Sequence, residues 1–329
     1  MRTLRENAMA ILNREQPDYY FDLMDAIQLV PDPILMSGMF PQDGKEYKDN
    51  WGTVYIFPPG APGPHPHVTP ENAVIKDIEH WKDDLVVPPA TGLDWTLAKQ
   101  VADETDRREK FVGVMFGGGL FERTHHLMGM EEALVNYLEY PEEMAELLRV
   151  IADHKIEYIH EMARQIHPDI IFYHDDWGSK RQVFLPPSVW RELIKPLQIE
   201  IANAIHEEGM IYMHHSDCYC QPLVKDMVEI GIDIWQGAIP QNDIVEIQRI
   251  TEGKLAMVGG IDGPKIDIET ITEEAIRAEV HRAVDTYCPG GRFFPGIANG
   301  VCFIDWIDKI EKEELKKYGR EWALAHPIG

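Results

Sequence analysis

The chain has 329 residues, 44% of them hydrophobic and 26% charged, which is the balance of a folded globular protein and excludes disorder. With 56 acidic against 31 basic residues the formal charge is −25, a surface that repels phosphate backbones and anionic lipid and so argues against nucleic acid or membrane as partner. No run reaches the roughly 18 to 20 apolar residues of a membrane span, and residues 1–17 scatter Arg2, Arg5, Glu6, Arg14 and Glu15 through a short apolar stretch, so the expectation is a cytoplasmic protein without an export signal.

Residues 1–95 read as an N-terminal extension and lid to one domain that spans 1–329. Prolines and glycines crowd Phe57 to Pro70, while Pro33 to Met36 and Leu85 to Val87 are candidates for obscured strands. Lys110 to Phe116 predicts a strand running into Gly117 to Gly119. Pro141 to Ile166 predicts a long helix with Met144, Leu147, Leu148, Ile151, Tyr158, Ile159 and Met162 on one face. Then five β-rich runs follow: Ile170 to Tyr173, Met210 to Met213, Ile232 to Trp235, Leu255 to Val258 and Arg292 to Pro295. Stripes at helical spacing separate them, including Val189, Leu193, Leu197, Ile201 and Ile205, then Ile244, Ile247 and Ile250, then Ile276, Val280, Ala283 and Tyr287. Leu315 lies in a charged last helix. Strands alternating with helices signal a parallel sheet, and six visible units with one or two obscured fit an eight-stranded TIM (β/α)8 barrel better than an open doubly wound sheet.

Barrel chemistry sits at the C-terminal ends of strands. After Met213 come His214, His215, Ser216, Asp217, Cys218 and Cys220, the densest polar cluster in the chain. Four cysteines in this length make no disulfide framework, and imidazole with thiolate suits zinc. His215, Cys218, and Cys220 or Cys302 would supply three ligands and leave a fourth position open; the alternative is inert buried thiols and hydrogen-bonded histidines. Asp175 and Asp176, after the Ile170 to Tyr173 run, could orient a metal-bound histidine or handle a proton, or simply accept backbone N–H bonds in a turn. Glu122, beyond the glycines, is a further site carboxylate or an ion-pair partner of Arg123, and the absence of a following Lys and Ser or Thr excludes a nucleotide P-loop. Gly260 and Asp262 fit either close ligand approach or a tight turn. Phe116, Tyr173 and Trp177 line an aromatic pocket or belong to the core, and Gln236 joins them as a substrate-binding candidate.

The runs His174 to Gly178, Pro186 to Pro196, Tyr212 to Cys218, Val228 to Asp233 and Val258 to Asp262 together resemble the uroporphyrinogen decarboxylase superfamily, which implies a TIM barrel. Gly119 to Met130 and Ile75 to Trp81 look like its corrinoid-dependent branch, the methylcobamide:coenzyme M type methyltransferases. True decarboxylases of this superfamily need no metal and grip a tetrapyrrole polycarboxylate with an arginine-rich N-terminal segment and a key aspartate on an early strand. Between Gln16 and Asp94 this chain has no arginine. The methyltransferase resemblance implies zinc held by a histidine, a cysteine two residues on, and a second cysteine near the last strand. His215 matches the histidine, but Asp217 stands where the first cysteine would be, with Cys218 one residue later. The last-strand position falls near Gly296 or Ile297, ahead of Cys302. The resemblance thus implies a zinc-dependent enzyme that moves a methyl group between a small methyl donor or thiol acceptor and a corrinoid on a partner protein, with Glu122, Asp175 and Asp176 in catalytic roles. A tetrapyrrole carboxy-lyase and a non-catalytic metal- or corrinoid-docking module are the alternatives.

Overall fold

Seven short segments rich in β-branched and aromatic residues form one parallel sheet: β1 (Ile27–Val30), β2 (Phe111–Phe116), β3 (Ile170–His174), β4 (Ile211–His215), β5 (Ile234–Ala238), β6 (Ala256–Ile261) and β7 (Phe293–Ile297). The computed structural model describes residues 1–61, 63–298 and 302–328. Each strand pairs in parallel with the next in chain order, and helices occupy the crossovers. Strands β2 to β7 are almost wholly buried, as parallel strands covered by helices on one side and packed inward on the other must be. Among the described residues no helix is long and apolar enough to cross a membrane.

The sheet curls in the manner of a TIM barrel, but it has seven strands where the sequence predicts eight, and β1 and β7 share no pairing among the described residues. The obscured strand expected at Pro33 to Met36 is instead a short helix, Pro33–Ser37. Asp32 accepts hydrogen bonds from the Ile34 and Leu35 amides, and Pro33 fills the first helical position, where its missing N–H costs nothing. Leu85 to Val87 has no regular structure. The first sheet strand, Ile27–Val30, falls inside the 1–95 segment read as extension and lid. That segment also carries a three-stranded antiparallel sheet, Glu46–Lys48, Val54–Ile56 and His65–Pro66.

The residues ahead of β1 pack against β7, close to the last helix, Asp305–Ala325. Phe21 meets Phe294 edge to face at 6.0 Å. Asp22 lies so close to Gly296 that a Cβ there would come within 2.5 Å of its Oδ2. Burial pushes the Asp22 carboxyl up to about 7, and it pushes Glu311 of the last helix far above its ordinary range, with Asp22 adding to that rise. Asp25 and Asp308 add further negative charge here, and Lys312 opposes it. Between about pH 4 and pH 7 the unfolded chain releases the Asp22 proton while the folded chain keeps it, so stability falls as pH rises through that window. In thermal melts at pH 5 and pH 8 the protein is expected to lose stability between the two, and Asp22→Asn, which can still accept from the Met24 amide, to lose distinctly less. Equal losses would contradict the assignment.

Candidate metal centre and adjoining cavity

Strands β3 to β7 run one to three residues beyond the apolar runs that mark them in sequence, and the extra residues of β3, β4 and β5 build the site. Register pairs His174 of β3 with His215 of β4, and His215 with Gln236 of β5. Because side chains alternate across a sheet, aligned residues on neighbouring strands share a face. The two imidazoles stack with centroids 4.2 Å apart, and Phe172, two residues before His174, meets His215 edge to face at 5.6 Å. Asp176, two residues past the end of β3, joins them: a ligand atom from each of His174, Asp176 and His215 lies within 4.8 Å of the others, the one such His/Cys/Asp/Glu group among the described residues.

Neighbouring groups fix the orientation of all three. His174 Nδ1 bonds Glu122 Oε2 at 3.0 Å, and His215 Nδ1 bonds Gln236 Oε1, so both rings keep Nε2 for a ligand. Asp176 Oδ1 accepts from the Asp217 amide at 3.1 Å. Burial drags on the charged form of His174, but the Glu122 carboxylate outweighs it and holds the imidazole up at about 9. Glu122 is in turn held well below its usual range by His174, against the effect of burial. Burial, then the charge on His174, pulls His215 down to about 4.

Glu122 owes its place to Asp175. This fully buried carboxylate caps the Leu120–Met128 helix, accepting from the Phe121 amide at 3.2 Å, the Glu122 amide at 2.9 Å and Trp177 Nε1 at 2.9 Å. Burial, then the Glu122 charge, pushes Asp175 up to about 6. Asp175 thus accepts backbone N–H bonds, but from a helix start more than fifty residues away and not from its own turn. Glu122 pairs with His174, while Arg123 pairs with Asp49 at 2.8 Å.

His174 and Glu122 also line a cavity of about 430 Å³ between the sheet and the small antiparallel sheet. Its walls include Ile34, Leu35, Trp51, Tyr55, Phe116 and Arg123. Of the aromatic candidates, Phe116 lines this cavity. Tyr173, its register partner on β3, touches its ring at 5.7 Å and shares the Lys155 ammonium with it, but does not line the cavity and lies 5.9 Å from His214. Trp177 packs there too, 4.1 Å from His214 and 4.6 Å from Trp190.

The sulfurs expected to hold zinc are not brought to His215. Cys218 and Cys220 are buried with Sγ atoms 3.3 Å apart, both turned toward Ser216 Oγ. Cys302 packs against the Asp267 carboxylate at 3.4 Å, and Asp217 pairs with Lys180 at 2.7 Å. Gly260 has a positive φ of 82°, and a side chain there would strike Tyr287 and Phe293, while Asp262 begins a short helix, so close packing and a turn account for both. Asp32, unremarked in sequence, also lines the cavity. Its Oδ1 accepts from Tyr158 Oη at 2.6 Å and from two amides, while Oδ2 is buried without a partner among the described residues. An aspartate followed by proline is a helix-start signal, which would have marked it as a cap.

Residues 52–302 match the family model described as uroporphyrinogen decarboxylase (URO-D), three quarters of the chain. The chain belongs to the uroporphyrinogen decarboxylase family. No curated protein sequence matches it. Among solved structures, a methyltransferase from Methanosarcina mazei shares the fold, with a TM-score of 0.64, 13% identity, and coverage of 98% of this chain and 99% of that one.

In this uroporphyrinogen decarboxylase family chain, Gly119 is the residue that lets Asp175 approach the helix end, since a Cβ there would come within 2.1 Å of the Asp175 side chain. Gly119→Ala is expected to cost about 1–3 kcal/mol in urea unfolding and to displace Glu122 from His174. A variant as stable as wild type would contradict this packing.

Proposed function

We propose that the protein is a methyltransferase that moves a methyl group between a small substrate in the cavity beside Glu122 and a corrinoid carried by a partner protein, with a zinc ion held by His174, Asp176 and His215. One observation carries the reading: two imidazoles and a carboxylate converge at the strand ends of a fold that a methyltransferase shares over its whole length. The donor set fits zinc, which in catalytic sites takes three protein ligands and keeps a position open. Bound there, zinc supplies Lewis-acid chemistry, polarising the heteroatom that bears the methyl group or favouring the thiolate of an acceptor. Glu122 and Gln236 fix the ring orientations from behind. Asp175, already committed to the helix end and Trp177, positions Glu122 and does not touch substrate. Phe116 and Trp51 exclude water from one wall. Gly260 and Asp262, which do not line this cavity, take no part in the proposed substrate site.

The tetrapyrrole lyase is the weaker reading, because the cavity lining contains one arginine, with one of its nitrogens taken by Asp49, where a polycarboxylate needs several guanidinium forks. Purified protein is expected to carry about one zinc per chain. His174→Ala, His215→Ala and Asp176→Ala should each lose it, while Cys218→Ser with Cys220→Ser should retain it. Adding the protein to a methyl donor and reduced corrinoid should change the visible spectrum of the corrinoid. A metal-free protein, or metal lost with the cysteines and kept without the histidines, would refute the site.

A further inference from the structure

Arg123 is 7% exposed and fixed on two sides: Nη1 bonds Asp49 Oδ2, and Trp51 stacks on the guanidinium with its ring centroid 5.1 Å from Cζ. Its other edge is not spoken for. Nε is buried with no hydrogen-bond partner, and Nη2 donates to none of the described residues, although this Nε–Nη2 edge is one of the faces with which arginine grips carboxylates in two parallel bonds. Unpaired buried donors are costly, and of these two nitrogens Nε is closed off while Nη2 is not, so Nη2 is the donor that calls for an acceptor in the cavity that Arg123 lines. The backbone beside it is stripped for access. Gly118, at a φ of +61°, has no side chain where a Cβ would come within 2.6 Å of Nη2, and a Cβ on Gly117 would meet nothing within 4 Å. Asp49 holds Arg123 through Oδ2 alone, since its Oδ1 is engaged by the Trp51 and Thr53 amides at 2.9 Å each. The Arg123 charge reaches its neighbours: with burial the leading cause in each case, it helps pull His125 down to about 4 and Lys155 to about 7.

We infer that Arg123 is the specificity-determining anchor of the cavity and that the small substrate carries a carboxylate, held by Nη2 of this guanidinium beside Gly117 and Gly118. The inference rests on the methyltransferase reading for the substrate's chemistry and not for its binding, which is measurable without turnover. A carboxylate suits the site better than a larger polyanion, because a single donor of one arginine is what the cavity offers.

Benzoate and benzamide are matched probes that differ chiefly in charge. Titrated into the full-length protein and followed by calorimetry, benzoate is expected to bind about tenfold or more tightly than benzamide. Asp49→Asn, which frees more of the guanidinium, should widen that preference. Arg123→Met paired with Asp49→Asn removes both charges together, leaves no unpaired carboxylate behind, and should abolish the preference while thermal melting confirms the fold. A wild type that binds the two probes equally, or a preference that survives in the double variant, would overturn the inference, the latter by assigning the anion to His174 or a bound metal. Benzoate selectivity without any methyl transfer would refute the functional reading alone, and methyl transfer without benzoate selectivity would refute the Arg123 assignment alone.

Discussion

The hydrogen-bond register of three adjacent parallel strands is the constraint on which the candidate site depends. With β3, β4 and β5 aligned as they are, His174, His215 and Gln236 stand side by side at the strand ends. A one-residue slip would turn His214 inward and put His215 on the helix side. The opposite face shows how firmly the register is held. There Tyr173, His214 and Trp235 form the aligned row, packed against Trp177, Trp190 and the buried Lys155. Large aromatic side chains fill that layer, and an alternative pairing would leave cavities or overlaps in it at a cost of several kcal/mol.

A second constraint is the coupling of buried charges across elements. Asp175 ends β3 and holds the start of the Leu120–Met128 helix, which carries Glu122 to His174 in one direction and Arg123 to Asp49 in the other. A single helix N-terminus thereby connects the strand-end histidines to the antiparallel sheet above them. Two consecutive residues of that helix face different partners, which is why an ion pair between Glu122 and Arg123, a natural reading of adjacent opposite charges, does not form.

Much of the architecture is legible in sequence because buried parallel strands are nearly pure apolar runs and crossover helices keep their stripes. Ile170, Ile211 and Ile234 all fall in β-rich runs that the structure makes strands. What the runs conceal is where each strand stops. Apolar content ends at Tyr173, Met213 and Trp235, yet the backbone continues through His174, His215 and Gln236, whose polar side chains face the site and not the core. The clustering of His215, Cys218 and Cys220 is legible too, but spacing alone does not reveal that both sulfurs settle against Ser216 Oγ and stay outside the group formed by His174, Asp176 and His215. The partnership of His174 with Asp176 and His215 is long-range, set by register between strands some forty residues apart. The first strand escaped because Ile27 to Val30 is short, and the Asp32–Pro33 step behind it reads as part of a loop until the cap is seen.

In the proposed function nitrogen and oxygen, and not sulfur, would hold the metal at this strand end. Loading the protein with cobalt(II) and recording the near-ultraviolet and visible spectrum tests it most directly, because thiolate ligands produce an intense sulfur-to-cobalt charge-transfer band that imidazole and carboxylate do not. A cobalt protein showing only d–d bands, which vanish in His174→Ala, is the result expected here. A strong charge-transfer band that disappears on replacing Cys218 or Cys220 would contradict it.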